Sequence, residues 1–510
     1  MRRTLATGLQ RFGVRLEVTE AVLNHLSGSR AGVVGIYQRH DWAEEKRAAL
    51  DAWSAHVLAA AEGRLTAVKV LPFSRAGSGE EVEIQTPPAP HHQSLAKIVS
   101  QNVGMRISID ARERDFEPAL NWIGSLVGAA LDKRVASFEA QERKNPLLAT
   151  HFRETFALEF ALAKARKYRR NTGRLPKGDE YDLLYGFVIP AQRIHAALPP
   201  NVRMPFEGRL HDAVNGAYGT RPFAYEISIA THLMQKGWDV EFADYAGIGR
   251  FDFLARQGAV EIEIECKSTS GDTGRKIHRQ EVNRLADLLL RTTERLADIA
   301  GCHRILVTIP DRLGKSNEAL SGIASIAAQA AEQKGAASSG LARAEYTFDN
   351  IASWPQPGRD ADAKSFFETR FGFSNAHLLF HGRPNFSVVA VMIRSEKADT
   401  LVDALSNAAK EAADQCSGTR SALVAMHLID QISRPELQSM LRTPNGLHAV
   451  MHALLRSGKR QHVDSVAFTV PQSIRPDGIG ARRLSGDLIV LNNPQPLFPC
   501  DEIRSIFRSS

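Results

Sequence analysis

Three ionisable residues with a shared chemistry lie close together in this chain of 510 residues: Asp252, Glu265 and Lys267. From Val260 to Lys267 apolar and charged residues alternate strictly, Val-Glu-Ile-Glu-Ile-Glu-Cys-Lys. A strand points successive side chains to opposite faces. Glu261, Glu263, Glu265 and Lys267 therefore share one face, and Val260, Ile262, Ile264 and Cys266 the other. Asp252 lies in a second short apolar run, Phe251–Ala255, and the intervening Arg256-Gln257-Gly258 predicts a tight hairpin turn that brings Asp252 beside Glu265. Two carboxylates and an ammonium on one sheet face can hold a hard divalent cation and a water next to a phosphate. The same pattern also suits any half-exposed sheet. Glu263 reads more readily as a solvated neighbour than as a further ligand.

The elements around these residues form a recognisable series. Pro222 opens a helix that runs to about Lys236, with Gly237 as its stop, and Glu226 falls in the first turns. Trp238–Tyr245 reads as a strand. After Lys267 a polar loop leads to a helix near Lys276–Leu296 that carries Gln280, and Arg304–Ile309 reads as a further buried strand. The series resembles the PD-(D/E)xK nuclease superfamily, to which many restriction and repair endonucleases belong. Its D…ExK signature falls on Asp252, Glu265 and Lys267, with Phe251 where that family often has proline. The resemblance implies an αβββαβ restriction-endonuclease-like core and Mg²⁺-dependent hydrolysis of DNA phosphodiesters. It implies that Asp252, Glu265 and the Cys266 carbonyl hold the metal, that Mn²⁺ substitutes for Mg²⁺, and that Glu226 and Gln280 complete the site.

Residues 2–58 carry a second resemblance, to the C-terminal end of phage-integrase-type tyrosine recombinases. Arg2-Arg3-Thr4, Leu23-Asn24-His25, Ile36-Tyr37 and Glu45-Lys46-Arg47-Ala48-Ala49-Leu50 match in order and spacing. The resemblance assigns Arg2, His25 and Tyr37 to that family's arginine, histidine and nucleophile. Its first arginine, its lysine and the histidine of HxxR would lie before Met1, and a tyrosine needs its phosphate-clamping cations to attack. Residues 1–62 are therefore expected to be a truncated remnant, and a start upstream of Met1 stays open.

A chain of this length should split into several domains. Pro, Gly and Ser mark 63–94 as a linker. Residues 95–210 read as helical, with Asn121–Leu131 and Leu147–Ala165 at helical spacing. The second of these runs into Lys164, Arg166, Lys167, Arg169 and Arg170, a candidate phosphate-contacting surface or else a solvated helix end. Arg275 and Lys276, just after the Glu-x-Lys strand, could neutralise substrate phosphates. The nuclease-like domain is placed at 211–373. An α/β region at 374–510 is expected either as a separate domain or as strands that extend the nuclease sheet. Gly314-Lys315-Ser316 is not a P-loop, because Ile309 stands where glycine is needed.

A net charge of +7 suits a polyanionic partner, and four scattered cysteines without zinc spacing suit a reducing, cytoplasmic setting. The expected function is that of a metal-dependent DNA endonuclease, with defence against foreign DNA as the role suggested by the two resemblances. The alternatives are a non-catalytic DNA-binding protein with a nuclease-like fold and a recombinase-derived protein of DNA integration. No apolar run reaches the length of a membrane span. Assembly into a homo-oligomer is left open.

Overall fold

The computed structural model describes residues 111–350, 376–383, 386–429, 446–469 and 488–507, the short stretches 104–108, 473–476 and 482–485, and isolated positions elsewhere. The chain divides into two compact units, residues 1–102 and 103–510. In the first, Leu9, Val18 and Ala49 form a small buried cluster. Arg2, His25, Tyr37 and the linker at 63–94 lie outside the described residues.

The second unit is a mixed α/β protein: a helical region followed by two mixed sheets with interspersed helices. Elements are numbered along the described residues. The helical region comprises α1 (Glu113–Lys144), α2 (Ala149–Thr155), α3 (Ala157–Thr172), α4 (Asp179–Ala197) and α5 (Pro200–Asn215). In α1 the buried Leu120, Ile123, Val127, Leu131, Val135 and Phe138 recur every three or four residues, the spacing that gives a helix one apolar stripe. The helix α6 (Arg221–Gln235) follows, with Pro222 in its first turn. Next come β1 (Asp239–Phe242), the single turn α7 (Ala243–Ala246), β2 (Phe253–Gln257) and β3 (Val260–Thr269). β1, β2 and β3 are consecutive antiparallel neighbours, and Gln257 pairs with Val260. The hairpin therefore turns on Gly258-Ala259, one residue later than the sequence suggests. Gly258 has φ +59°, a conformation that an L residue avoids and that opens a two-residue hairpin loop.

Beyond β3 the chain departs from the expected order. α8 (Arg279–Ala297) and β4 (Gly301–Ile309) do form where the sequence places a helix and a strand, but β4 joins a second sheet. That sheet has the order β5-β6-β4-β8-β7, from β5 (Ala336–Ser338), β6 (Arg343–Asp349), β7 (Ala376–Arg383) and β8 (Ser387–Ser395), with α9 (Asn317–Glu332) packed on it. Ser316 caps α9 through the Ala319 amide, so the Gly-Lys-Ser segment ends in a helix cap. The chain then returns through α10 (Leu401–Ala413) to β9 (Ser421–Leu428), which pairs with β3 in parallel. β10 (Val463–Thr469) and β13 (Leu488–Asn492) extend the first sheet to the order β1-β2-β3-β9-β10-β13. Of the two arrangements the sequence left open for the C-terminal region, β9, β10 and β13 continue the first sheet, whereas β7 and β8 pair in the second sheet with β4. β11 (Ser473–Pro476) and β12 (Arg482–Ser485) form a separate hairpin, α11 (Leu447–Leu455) packs beside α10, and α12 (Asp501–Ile506) closes the unit.

The first sheet is covered on both faces. Phe253, Ala255, Ile262, Ile264 and Leu423 face α6 and the helical region, and Leu254, Val424 and Met426 face α10 and α11. The inserted segment leaves and returns at one point: the Thr400 amide donates to the Gly274 carbonyl at 2.8 Å. Gly274 has φ +74°, and a Cβ there would lie 2.8 Å from the Thr400 carbonyl. A side chain at 274 would force these ends apart. None of the helices among the described residues is long and apolar enough to cross a membrane.

Candidate active site

The site is built on the α10 face of β2 and β3. Phe253 pairs with Ile264, so Asp252 just before β2 falls beside Glu265. The Cys266 amide donates to Asp252 Oδ2 at 2.6 Å, which pins the carboxylate against β3. Glu265 is buried, and Gln415, just beyond α10, donates from Nε2 to its Oε1 at 2.7 Å. Glu265 Oε2 is buried with no hydrogen-bond partner. Lys267 Nζ lies 3.5 Å from Glu411 on α10. From α6, the buried Glu226 receives Arg209 of α5 at 2.7 Å.

The electrostatics follow from this crowding. Burial raises the Asp252 carboxyl to about 8, and the charge on Glu226 adds to the rise. Burial raises Glu265 to about 9, Asp252 adds to it, and the Lys267 ammonium opposes it. Glu226 is also raised by burial, against the pull of Arg209. Acids that push one another's protonation upward in one place favour a divalent cation as counter-charge. Cys266 is a different case: burial and the surrounding carboxylates push its thiol well above the usual range, which disfavours it as a thiolate ligand. Among the described residues no three His, Cys, Asp or Glu side chains form a ready-made ligand set. The fit to a hard cation rests on Asp252, the unpartnered Glu265 oxygen and the oxygen chemistry of that donor set.

No family model, curated protein or solved structure matches the chain. The assignment of roles therefore rests on the geometry of these side chains.

The structure brings Asp252, Glu265, Lys267 and Glu226 together. It places other residues elsewhere. Gln280 is exposed in the first turn of α8, which packs with the second sheet, and it lines a polar cleft with Asp272 and Arg275. Gln415 is the glutamine that touches the cluster. Sequence reasoning missed it because it approaches from 150 positions away. Glu263 is not solvated: it is fully buried and accepts the Ser417 amide at 2.7 Å and the Ser417 hydroxyl at 2.5 Å, with Arg420 at 3.5 Å. It holds the loop after α10 and thereby positions Gln415. Removing a buried carboxylate that satisfies these donors leaves them unpaired. Glu263→Ala is expected to lose about 2–4 kcal/mol of stability in a denaturant melt; a change within experimental error would contradict this anchoring role.

Arg275 and Lys276 are engaged by protein carboxylates. The buried Arg275 pairs with Asp399 at 2.9 Å, and Lys276 with Asp311 at 3.0 Å. They fasten the base of the inserted segment. The α3 cluster divides. Arg166 crosses to Asp132 of α1 at 2.7 Å and donates to the Gly128 carbonyl, where a side chain at 128 would collide with its guanidinium. Arg169 pairs with Glu117 of α1. These two arginines clamp α3 to α1, whereas Lys164, Lys167 and Arg170 remain exposed.

Proposed function

We propose that this protein is a divalent-metal-dependent DNA endonuclease of the PD-(D/E)xK type. One observation carries the reading: Asp252 and Glu265 stand side by side across a hairpin, Lys267 follows on the same face, and both carboxyls are driven upward. The series α6-β1-β2-β3-α10-β9, with β9 parallel to β3, supports a restriction-endonuclease-like core interrupted by an insertion.

On this reading Asp252, Glu265 and the Cys266 carbonyl would hold Mg²⁺ or Mn²⁺. A cation bound there would acidify a water and neutralise the phosphate. Lys267 stabilises charge that grows on the phosphate oxygens and orients the attacking water. Glu226, held by Arg209, adds negative charge behind Asp252. Gln415 holds one oxygen of Glu265, and the other, left without a protein partner, would be the one to meet the metal.

The test is cleavage of supercoiled plasmid and of linear single-stranded DNA with Mg²⁺, with Mn²⁺ and with EDTA. Cutting that requires the metal and disappears in Asp252→Ala is the expected result. Cutting that persists in EDTA or in Asp252→Ala would refute the site. Salt-sensitive DNA binding with no cleavage under any metal would favour the binding-protein alternative.

A further inference from the structure

The opposite face of the first sheet carries a large concave region. A cavity of about 1490 Å³ opens between α3, α4 and α6 and the ends of β9, β10 and β13. Sites for single small ligands run to roughly 300–1,000 Å³, so this space suits a segment of polymer better than a metabolite. Three aromatic pairs line it. Phe116 stacks on Tyr185 with centroids 4.2 Å apart, Tyr225 on His427 at 4.5 Å, and His232 on Phe507 at 5.4 Å.

Two further observations point to a ligand. Tyr185 is only 4 % exposed and lines the cavity, yet its hydroxyl has no hydrogen-bond partner among the described residues. A buried hydroxyl left without a partner is costly, and a polar ligand atom would satisfy it. The rim carries the exposed cations of α3: Lys164, Lys167 and Arg170 all line the opening. Of these, Arg170 stands 3.7 Å from Asp132 and Lys164 lies over the Tyr181 ring. Lys167 is the best placed to meet an anion.

We infer that this cavity holds unpaired nucleotides of a DNA strand, with bases among the aromatic side chains and phosphates on the α3 cations. Bases present π-faces to aromatic rings whatever their sequence, at about 1–3 kcal/mol each, and phosphates supply the counter-charge for lysine and arginine. Stacked bases inside a duplex cannot enter such a space, so the site selects single strands, flaps or extruded bases. The inference deepens the nuclease reading by naming a substrate form, and it draws on that reading for the choice of DNA as the polyanion. The two sites are neighbours: Tyr225 precedes Glu226 on α6, and His427 pairs with Ser268, the residue after Lys267.

The experiment is fluorescence anisotropy of the full chain with labelled oligo(dT) and with a blunt duplex of equal length, in EDTA so that cleavage plays no part. Two variants accompany the wild type. Ser228→Trp fills the cavity from its wall, and Lys167→Glu reverses a rim charge on an exposed side chain, so that a folding defect in the first does not silence the test. The expected result is tighter binding of the single strand than of the duplex, weakened about tenfold or more by either variant, with duplex binding unchanged. Asp252→Ala should leave single-strand binding intact, which separates this site from the catalytic one. Equal affinity for duplex and single strand would overturn the inference. So would an effect of Lys167→Glu alone in a folded Ser228→Trp protein, since that pattern marks surface charge only. Preference for anionic phospholipid vesicles over DNA would overturn it as well.

Discussion

Glu265→Gln should leave a protein that is inactive and more stable than the wild type. The carboxyl is buried, and its protonation is pushed up to about 9, so at neutral pH the folded state must hold a proton that the unfolded chain has released, which destabilises the fold. Glutamine has nearly the same shape and keeps an oxygen to accept the Gln415 amide, but it carries no charge. On the nuclease reading that charge is the ligand, and Mg²⁺-dependent cleavage should fall by at least about 10³-fold while DNA affinity stays within about twofold. Lys267→Ala should cost about 10²–10³-fold, the scale for loss of one preorganised charge-stabilising group. Gln415→Leu should cost about 10–100-fold, as expected for a residue that orients a ligand without touching substrate. By contrast, Glu411→Gln should change little, since its contact with Lys267 is 3.5 Å long and 70 % of the Glu411 side chain is exposed. The measurement is single-turnover cleavage alongside thermal melts. A Glu265→Gln protein that melts higher and still cuts would show the carboxylate to be a structural relic.

The sequence made the local half of this site legible. Strict alternation over 260–267 fixed which side chains share a face, and the hairpin placed Asp252 beside Glu265. Pro222 and Gly237 bounded the helix that carries Glu226. Each of these signals lies within the reach of one element and its turn. The other half depends on pairing over long distance. Apolar patterning said correctly that a helix and a strand follow β3, at α8 and β4, but periodicity carries no information about which sheet a strand joins. The neighbour of β3 is β9, whose residues are all apolar or small in the register beside Glu265 and Lys267, as a strand buried on both faces should be. Nothing in such a run names its partner. No local pattern therefore points from the motif to Gln415, whereas Gln280 stands out as the glutamine on the first helix after it. Glu263 misleads for another reason: alternation with Glu261 suggests solvent, whereas α10 and the Ser417 loop cover the face from Glu263 onward and leave only Glu261 exposed. The basic residues of α3 and of 275–276 show the same limit. Their charge was visible, but the carboxylates that neutralise Arg166, Arg169, Arg275 and Lys276 come from other elements.

Millimolar Mg²⁺ should raise the melting temperature far more at about pH 8.5 than at about pH 5.5, and the wild type without metal should lose stability as pH rises between them. The sign follows from linkage. Asp252 and Glu265 titrate at about 8 and about 9 when folded, against about 4 when unfolded. Between those limits the folded protein holds protons that the unfolded chain has released. Stability therefore falls with rising pH, by at most about 1.4 kcal/mol per pH unit for each such carboxyl. Below about pH 4 both states are protonated and the term vanishes; above about pH 9 the full penalty is in force. A cation that binds the ionised pair must displace those protons, so its affinity grows across the same window. At a concentration of 100 times Kd it would return about 2.7 kcal/mol. The Asp252→Asn/Glu265→Gln double variant removes both titrating groups. It should show a flatter dependence on pH and no response to Mg²⁺, even if no DNA substrate is ever cut. A melting temperature that ignores Mg²⁺ at about pH 8.5 would show that these carboxylates serve no metal. An equal response in the double variant would place the metal elsewhere on the protein.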